Sequence, residues 1–109
     1  MNLNSQINSI LREFETGDKL SSYKKLIKIF KNNTNNNLLR YNLAVIQQQL
    51  NFNEDAKKNY KYLIKVEKNI KAMINLYNIY IIESKYYEAL KTIDRILNIE
   101  TIDNVEKDK

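Results

Sequence analysis

The sequence of 109 residues contains no cysteine, histidine, proline or tryptophan, and its only glycine is Gly17. Without Cys and His, disulfides, zinc sites built on these ligands and catalytic pairs based on a Cys or His nucleophile are excluded. A single glycine excludes both the P-loop and the dinucleotide-binding loop, since each needs several glycines. All-β folds use glycine and proline in their many turns, so the scarcity of both residues favours helices.

Long apolar runs and a secretory signal are also missing. The apolar run Ile79–Ile82 is only four residues long, whereas a membrane-spanning helix needs about 20. Residues 1–10 have neither the basic nor the apolar segment of a signal peptide. We therefore expect a cytoplasmic protein without a membrane span.

Candidate catalytic groups are scarce. The close acidic pairs before the C-terminal segment, Glu13/Glu15 and Glu54/Asp55, lie near predicted helix ends, where capping and the helix dipole explain them. There is no histidine to act as a general base and no glycine-rich loop to hold an oxyanion. The sequence therefore predicts no catalytic residue, no cofactor and no metal, and we do not expect an enzyme.

The residues that are abundant describe a basic, apolar-rich chain of single-domain length. The apolar fraction is 43%, which argues against disorder, and the net charge is +5. Asn and Lys are among the commonest residues, and Lys far outnumbers Arg. Asn and Lys have AT-rich codons, so an AT-rich genome accounts for part of this composition and the basic charge is weak evidence for a binding function.

Apolar residues recur at i, i+3, i+4 and i+7 almost throughout, which predicts helices. Polar interruptions at Gly17, 32–37, 51–53 and 84–85, together with a break between Lys68 and Ile70, divide the pattern into six short helices. Short turns between short helices predict antiparallel hairpins. We expect a helical domain over residues 1–98, with hairpins at about 4–31, 37–68 and 70–98. A polar, acidic C-terminal tail over 99–109 should follow, in which Ile102 and Val105 allow one short extra turn.

The second helix of each predicted hairpin has the same apolar pattern, which recurs about every 34 residues, a period typical of stacked helical hairpins. A small residue at its start lets two helices approach closely, and a large residue one turn later fills the groove between units. In the first helices, Leu43-Ala44 recurs as Leu76-Tyr77. The three matching sets are Ser22, Leu26, Ile29 and Phe30; Ala56, Tyr60, Leu63 and Ile64; and Ala89, Ile93, Ile96 and Leu97.

These residues resemble the tetratricopeptide repeat (TPR) family, whose second helix carries an A-x3-F pattern. Ala56-x3-Tyr60 and Ala89-x3-Ile93 match that pattern, although Tyr77 stands where the family has Gly or Ala and no repeat ends in Pro. The resemblance implies an all-α fold of three stacked antiparallel helical hairpins in a right-handed superhelix. It also implies a scaffold or chaperone-like adaptor for protein–protein interaction, in which the first helices line a concave groove that holds a peptide or helix of a partner protein.

Six residues on the first helices are the groove candidates. Aromatic and aliphatic side chains would bury an apolar or amphipathic segment, and amides between them would set its register. Packing against neighbouring helices is the alternative role for the same residues. The candidates are Tyr41, Val45, Gln48, Ile74, Asn78 and Ile81.

Lysines at helical spacing on two second helices provide an alternative function. Merged into one Lys-rich convex face, they would bind the phosphates of nucleic acid or another anionic surface. The same lysines are also typical of an ordinary solvated face, and the scarcity of Arg makes nucleic acid the less favoured partner. The residues of this basic strip are Lys24, Lys28, Lys57, Lys61 and Lys65.

The last helix presents a wide apolar arc where a terminal repeat usually presents a polar face. The sequence leaves three explanations open: the tail folds back over the arc, the chain is part of a longer array, or self-association through the C-terminal hairpin covers it. The arc consists of Leu90, Ile93, Ile96, Leu97 and Ile99.

Overall fold

The computed structural model describes the backbone of residues 2–107 and the side chains of residues 2–98. It is all-helical, with no strand among residues 2–107, and successive helices pack in hairpin-like pairs, which confirms the predicted fold class. The helices are α1 (Leu3–Thr16), α2 (Lys19–Lys31), α3 (Asn37–Gln49), α4 (Asn53–Glu67), α5 (Ile70–Ile82) and α6 (Tyr86–Lys107).

The helix ends lie close to those predicted, except at the C-terminus. The sequence ends the last hairpin near residue 98, but α6 continues to Lys107 and takes in most of the segment assigned to a tail. The side chains of Ile102 and Val105, and residues 108–109 altogether, lie outside the described part.

The first helix of each hairpin begins with the same asparagine cap. The Oδ1 atoms of Asn2, Asn36 and Asn69 accept hydrogen bonds from the backbone N–H three positions later, at 2.7, 3.0 and 3.0 Å. Such a cap satisfies one of the helix donors that have no partner within the helix. One such asparagine cap begins each hairpin, so the local structure repeats with the period of the apolar pattern.

The turns after α3 and α5 also have the same geometry. Asn51 and Ser84 follow the helix ends with φ of 64° and 60°, in the left-handed region. The amide of the residue after each donates to the carbonyl of Gln47 or Tyr80, at 2.8 Å in both turns. This is a Schellman motif, and its two copies occupy equivalent positions in successive hairpins.

The turn between α1 and α2 is different. Gly17 has φ −134°, and its amide donates to the Glu13 carbonyl at 2.8 Å. Asp18 follows at once and caps α2 by accepting a hydrogen bond from the Ser21 amide at 3.1 Å. The first hairpin therefore shares its starting cap with the other two hairpins but not its turn.

The chain divides into two compact units, Met1–Asn59 and Tyr60–Lys109, with the boundary inside α4. In the first unit, α1, α2 and α3 supply an apolar core, and the small residues Ser22 and Ala56 are buried as predicted. Burying a Leu, Ile or Phe side chain contributes about 1.5–3 kcal/mol. The core cluster contains Ile7, Ile10, Phe14, Tyr23, Leu26, Leu39, Leu43 and Ile46.

The second unit has a core from the last part of α4, from α5 and from the start of α6. Tyr60, the predicted large residue of the repeat, is fully buried, and the small residue Ala89 is buried too. Ile93, the large residue of the third set, is only half-buried. Buried side chains of α5, among them Met73 and Ile79, complete this core.

Candidate functional site

A chain of hydrogen bonds ties three helices of the first unit together. The Gln47 Nε2 donates to the Tyr23 hydroxyl at 3.2 Å, and the Asn59 Nδ2 donates to the Gln47 Oε1 at 2.8 Å. Arg40 Nη1 donates to the Asn59 Oδ1 at 3.0 Å. Gln47 and Tyr23 are buried, so these polar groups depend on one another for their partners. We call Tyr23, Arg40, Gln47 and Asn59 the polar network.

The arginine of the polar network is held on several sides. Its guanidinium carbon lies 4.8 Å from the centroid of the Phe30 ring, and Nη2 donates to the Thr34 carbonyl at 3.2 Å. Arg40 therefore has a structural role and is not available for a ligand anion.

Three groove candidates lie on one face of α3 in the first unit. Tyr41, Val45 and Gln48 are spaced i, i+4, i+7 and are half-buried. Leu43 and Ile46, on other sides of the helix, are buried in the core. The candidates on α3 are thus on a surface that is partly covered and partly accessible.

The other three groove candidates lie on α5 in the second unit. Ile74, Asn78 and Ile81 are exposed, with exposed fractions of 46% for Ile74 and 39% for Ile81. Ile70 falls on the same side of the helix and is also exposed. Because α5 buries other apolar side chains, such as Met73, on its opposite side, it is apolar on both faces. We call Ile70, Ile74, Asn78 and Ile81 the α5 face.

One of the five residues of the predicted basic strip is buried. Lys24 and Lys28 are exposed on α2 in the first unit, as the sequence predicts. Lys57, however, is only 4% exposed, and its Nζ lies 2.8 Å from the Glu54 carboxylate. The assignment of Lys57 to an exposed strip is therefore wrong: its ammonium is neutralised by a carboxylate one turn earlier on α4 and its stem is covered.

Lys61 and Lys65 instead belong to a pocket in the second unit. The pocket has a volume of about 530 Å³ and lies among α4, α5 and α6. From α4, the exposed residues Lys61, Lys65 and Lys68 line it at i, i+4 and i+7, so all three lie along one helix face. We call this the basic pocket.

Helix α6 adds two more cations and one carboxylate to the basic pocket. Lys91, Arg95 and Glu88 line it from this side. The Lys91 Nζ lies 5.0 Å from the centroid of the Tyr87 ring. Among the residues whose side chains are described, none forms an ion pair or hydrogen bond with the side chains of the other four cations, which are Lys61, Lys65, Lys68 and Arg95.

The floor of the basic pocket is mostly apolar. It is lined by Ile64, Leu76, Tyr80 and Thr92, all of which are buried. The Thr92 hydroxyl donates to the Glu88 carbonyl in its own helix at 2.9 Å, so this hydroxyl already has a partner. The pocket therefore combines a positive rim with an aliphatic floor, an arrangement suited to a ligand that carries both anionic and apolar groups.

Sequence reasoning finds two of the rim cations as site candidates and misses Lys91 and Arg95. These two lie one helical turn apart on α6, a spacing that is visible in the sequence. What the sequence does not give is the rotation of α6 that turns them toward the lysines of α4. Lys61 and Lys65 appear in the sequence as part of a strip, whereas in the structure they form one wall of a pocket.

The apolar arc of α6 is partly accessible. Leu90 and Leu97 are exposed, while Ile93 and Ile96 are half-buried. The side chain of Ile99 lies outside the described residues. Self-association through this arc stays a prediction.

Other kinds of site find no support in the described part of the chain. It contains no group of three or more carboxylates placed to hold a metal ion. Over the same residues, no helix is long and apolar enough to cross a membrane. No protein-family model matches the sequence, and no curated protein matches it either.

Proposed function

We propose that this chain is a non-catalytic interaction module, a scaffold or adaptor that binds a peptide or helix of a partner protein. The observation that carries the proposal is the α5 face, where apolar side chains are left exposed on a helix that already buries its other side. Contiguous exposed apolar side chains on a folded protein commonly mark a site of protein interaction.

The dimensions of the α5 face suit a partner segment. Ile74 and Ile81 are two helical turns apart, which corresponds to about 10 Å along a helix. A partner helix of two to three turns, or a short extended segment, would cover both side chains. Asn78 lies between them and offers an amide donor and acceptor that would fix the register of that segment.

The α3 candidates are the second expected contact. Tyr41 and Val45 are half-buried, so binding would immobilise side chains that are already restricted and would cost little conformational entropy. Gln48 supplies hydrogen-bonding groups one turn later. The proposal requires the α5 face and treats the α3 candidates as an additional surface.

The recurring caps and turns support the helical-repeat interpretation from which the proposal starts. The TPR resemblance, the absence of catalysis and the cytoplasmic location are parts of this proposal and rest on the sequence. What the structure adds is the repeated local geometry at Asn2, Asn36 and Asn69 and at the turns after α3 and α5.

The test compares two substitutions of equal chemistry. Ile74→Asp places a carboxylate in the α5 face, whereas Leu20→Asp makes a similar change on α2, where Leu20 is 49% exposed. Proteins captured from the source cell by the wild-type chain should be retained by Leu20→Asp and lost by Ile74→Asp, with both variants folded by circular dichroism. Equal capture by all three chains would contradict the proposal.

The alternative function, binding of nucleic acid or an anionic surface, retains Lys24, Lys28, Lys61 and Lys65 and loses Lys57. It predicts that binding falls steeply with salt, because each phosphate contact releases counterions. Capture through the α5 face should change little with salt, so a salt series applied to the same capture experiment separates the two functions.

A further inference from the structure

We propose that the basic pocket of the second unit is a binding site for an acidic peptide segment of a partner protein, with an aliphatic side chain of that segment seated on the pocket floor. This site is separate from the α5 face and does not depend on the function proposed for it. Its occupant is inferred from charge, floor chemistry and size.

The positive charge of the rim favours an anionic ligand. Among the described residues that line the pocket, five carry a positive charge and one is a carboxylate, an excess of four positive charges. Such a concentration of one sign raises the local potential and attracts oppositely charged groups. Since Lys61, Lys65, Lys68 and Arg95 have no ion-pair partner among the described side chains, carboxylates of a partner would not have to displace one.

The apolar floor favours a ligand that also carries an aliphatic group. Ile64 and Leu76 present apolar surface, and the Thr92 hydroxyl is already used within α6. A small anion such as phosphate would leave this surface in water. A Leu or Ile side chain flanked by Asp or Glu would cover the floor and meet the rim at once. A volume of about 530 Å³ is within the range of pockets that hold several side chains.

Nucleic acid fits the same pocket less well. Binding of single strands uses exposed aromatic rings on which bases stack. Tyr80, the aromatic residue among the described lining, is buried, and the exposed ring of Tyr87 beside the pocket already has the ammonium of Lys91 over it. Arg95 is the one guanidinium among the described lining residues, beside four lysines.

The experiment uses the full chain and a defined probe. The probe is a fluorescein-labelled, C-terminally amidated peptide with the sequence Asp-Glu-Leu-Asp-Glu, and binding is followed by anisotropy at low ionic strength, where charge pairs are least screened. A second probe of equal charge has Ala in place of Leu. A single-stranded oligo-dT of about 15 nucleotides serves as the nucleic-acid probe.

A matched pair of variants separates the pocket from general electrostatic attraction. The double variant Lys61→Glu, Lys65→Glu reverses two charges one turn apart in the pocket. The control Lys24→Glu, Lys28→Glu makes the same change at the same spacing on exposed α2 lysines. The pocket variant should bind the Leu peptide at least about tenfold more weakly than wild type, and the control should stay within about twofold. The Ala peptide should bind wild type about tenfold more weakly than the Leu peptide.

Several results would overturn this assignment. If both double variants weaken peptide binding equally, the effect depends on net charge and not on the pocket. If the Leu and Ala peptides bind with equal affinity, the ligand does not use the pocket floor. Tighter pocket-dependent binding of oligo-dT would assign the pocket to nucleic acid. If the wild-type chain forms a concentration-dependent dimer and the pocket variant stays monomeric, the occupant of the pocket is a second copy of the chain. Ile74→Asp should leave peptide binding unchanged, so failure of one proposal does not imply failure of the other.

Discussion

The two units differ at three equivalent positions of the repeat, and the different side chains at these positions have different roles. Arg40, Gln47 and Asn59 form most of the polar network. Their counterparts are Met73, Tyr80 and Thr92. In that second set Met73 is in the core, and Tyr80 and Thr92 line the floor of the basic pocket.

This difference shows how one helical repeat can serve two purposes. In the first unit, amide and guanidinium groups face inward and hydrogen-bond one another, which holds α2, α3 and α4 in place. In the second unit, apolar side chains occupy the interior and the charged groups lie around the rim of the pocket, without ion-pair partners among the described side chains for Lys61, Lys65, Lys68 and Arg95. We infer that the polar side chains at these three positions stabilise the first unit, whereas the rim cations of the second unit remain available for binding.

The largest expected effect is at the centre of the polar network. Gln47→Ala removes the partner of both the Tyr23 hydroxyl and the Asn59 amide in a buried place, and we expect the free energy of unfolding to fall by about 2–3 kcal/mol. Urea denaturation followed by circular dichroism measures this loss. Thr92→Val, at the counterpart of Asn59, is the control and should cost less than about 1 kcal/mol, because the Thr92 hydroxyl donates to the Glu88 carbonyl of its own helix and ties no second helix among the described residues. Similar losses of unfolding free energy for Gln47→Ala and Thr92→Val would contradict the proposed difference between the two units.

A smaller effect is expected where the two units are alike. Asn36→Ala and Asn69→Ala each remove one side-chain cap from the first helix of a hairpin, and each should lower the free energy of unfolding by about 1 kcal/mol. Replacement of either residue by Asp keeps a capping oxygen and should restore most of the loss in the same urea measurement. If one alanine variant lowered the free energy of unfolding and the other did not, the two caps would not be equivalent.

The smallest effect is expected in the basic pocket. The double variant Lys61→Gln, Lys65→Gln removes two exposed charges that make no ion pair with a described side chain, so the free energy of unfolding should change by less than about 0.5 kcal/mol. Removing two of several crowded cations should, if anything, stabilise the chain. A loss above about 1 kcal/mol would show that these lysines stabilise the fold, as the polar network does.

The helices and their pairing are predictable because they depend on local chemistry. The apolar spacing around Ser22, Ala56 and Ala89 identifies the repeat, and all three side chains are buried. The capping asparagines, one at the start of each hairpin, are equally visible in the sequence, but in a chain so rich in asparagine they do not stand out.

The candidate site is less predictable because burial depends on distant parts of the chain. Lys57 and Lys61 are one turn apart on α4 and have the same side chain, yet Lys57 is buried against Glu54 and Lys61 faces the basic pocket. A helical pattern places both on nearly the same face. Which of them is covered depends on the surfaces packed around α4, and no local pattern contains that information.

The sequence by itself determined six helices, their pairing into hairpins and the period of the repeat, because hydrogen-bonded caps and apolar spacing act over short stretches of chain. The tertiary structure alone decided that Lys91 and Arg95 lie across the basic pocket from Lys61 and Lys65. That placement follows from how each helix is rotated about its axis and how closely it packs against its neighbours. Both are set by the fit of many side chains at once.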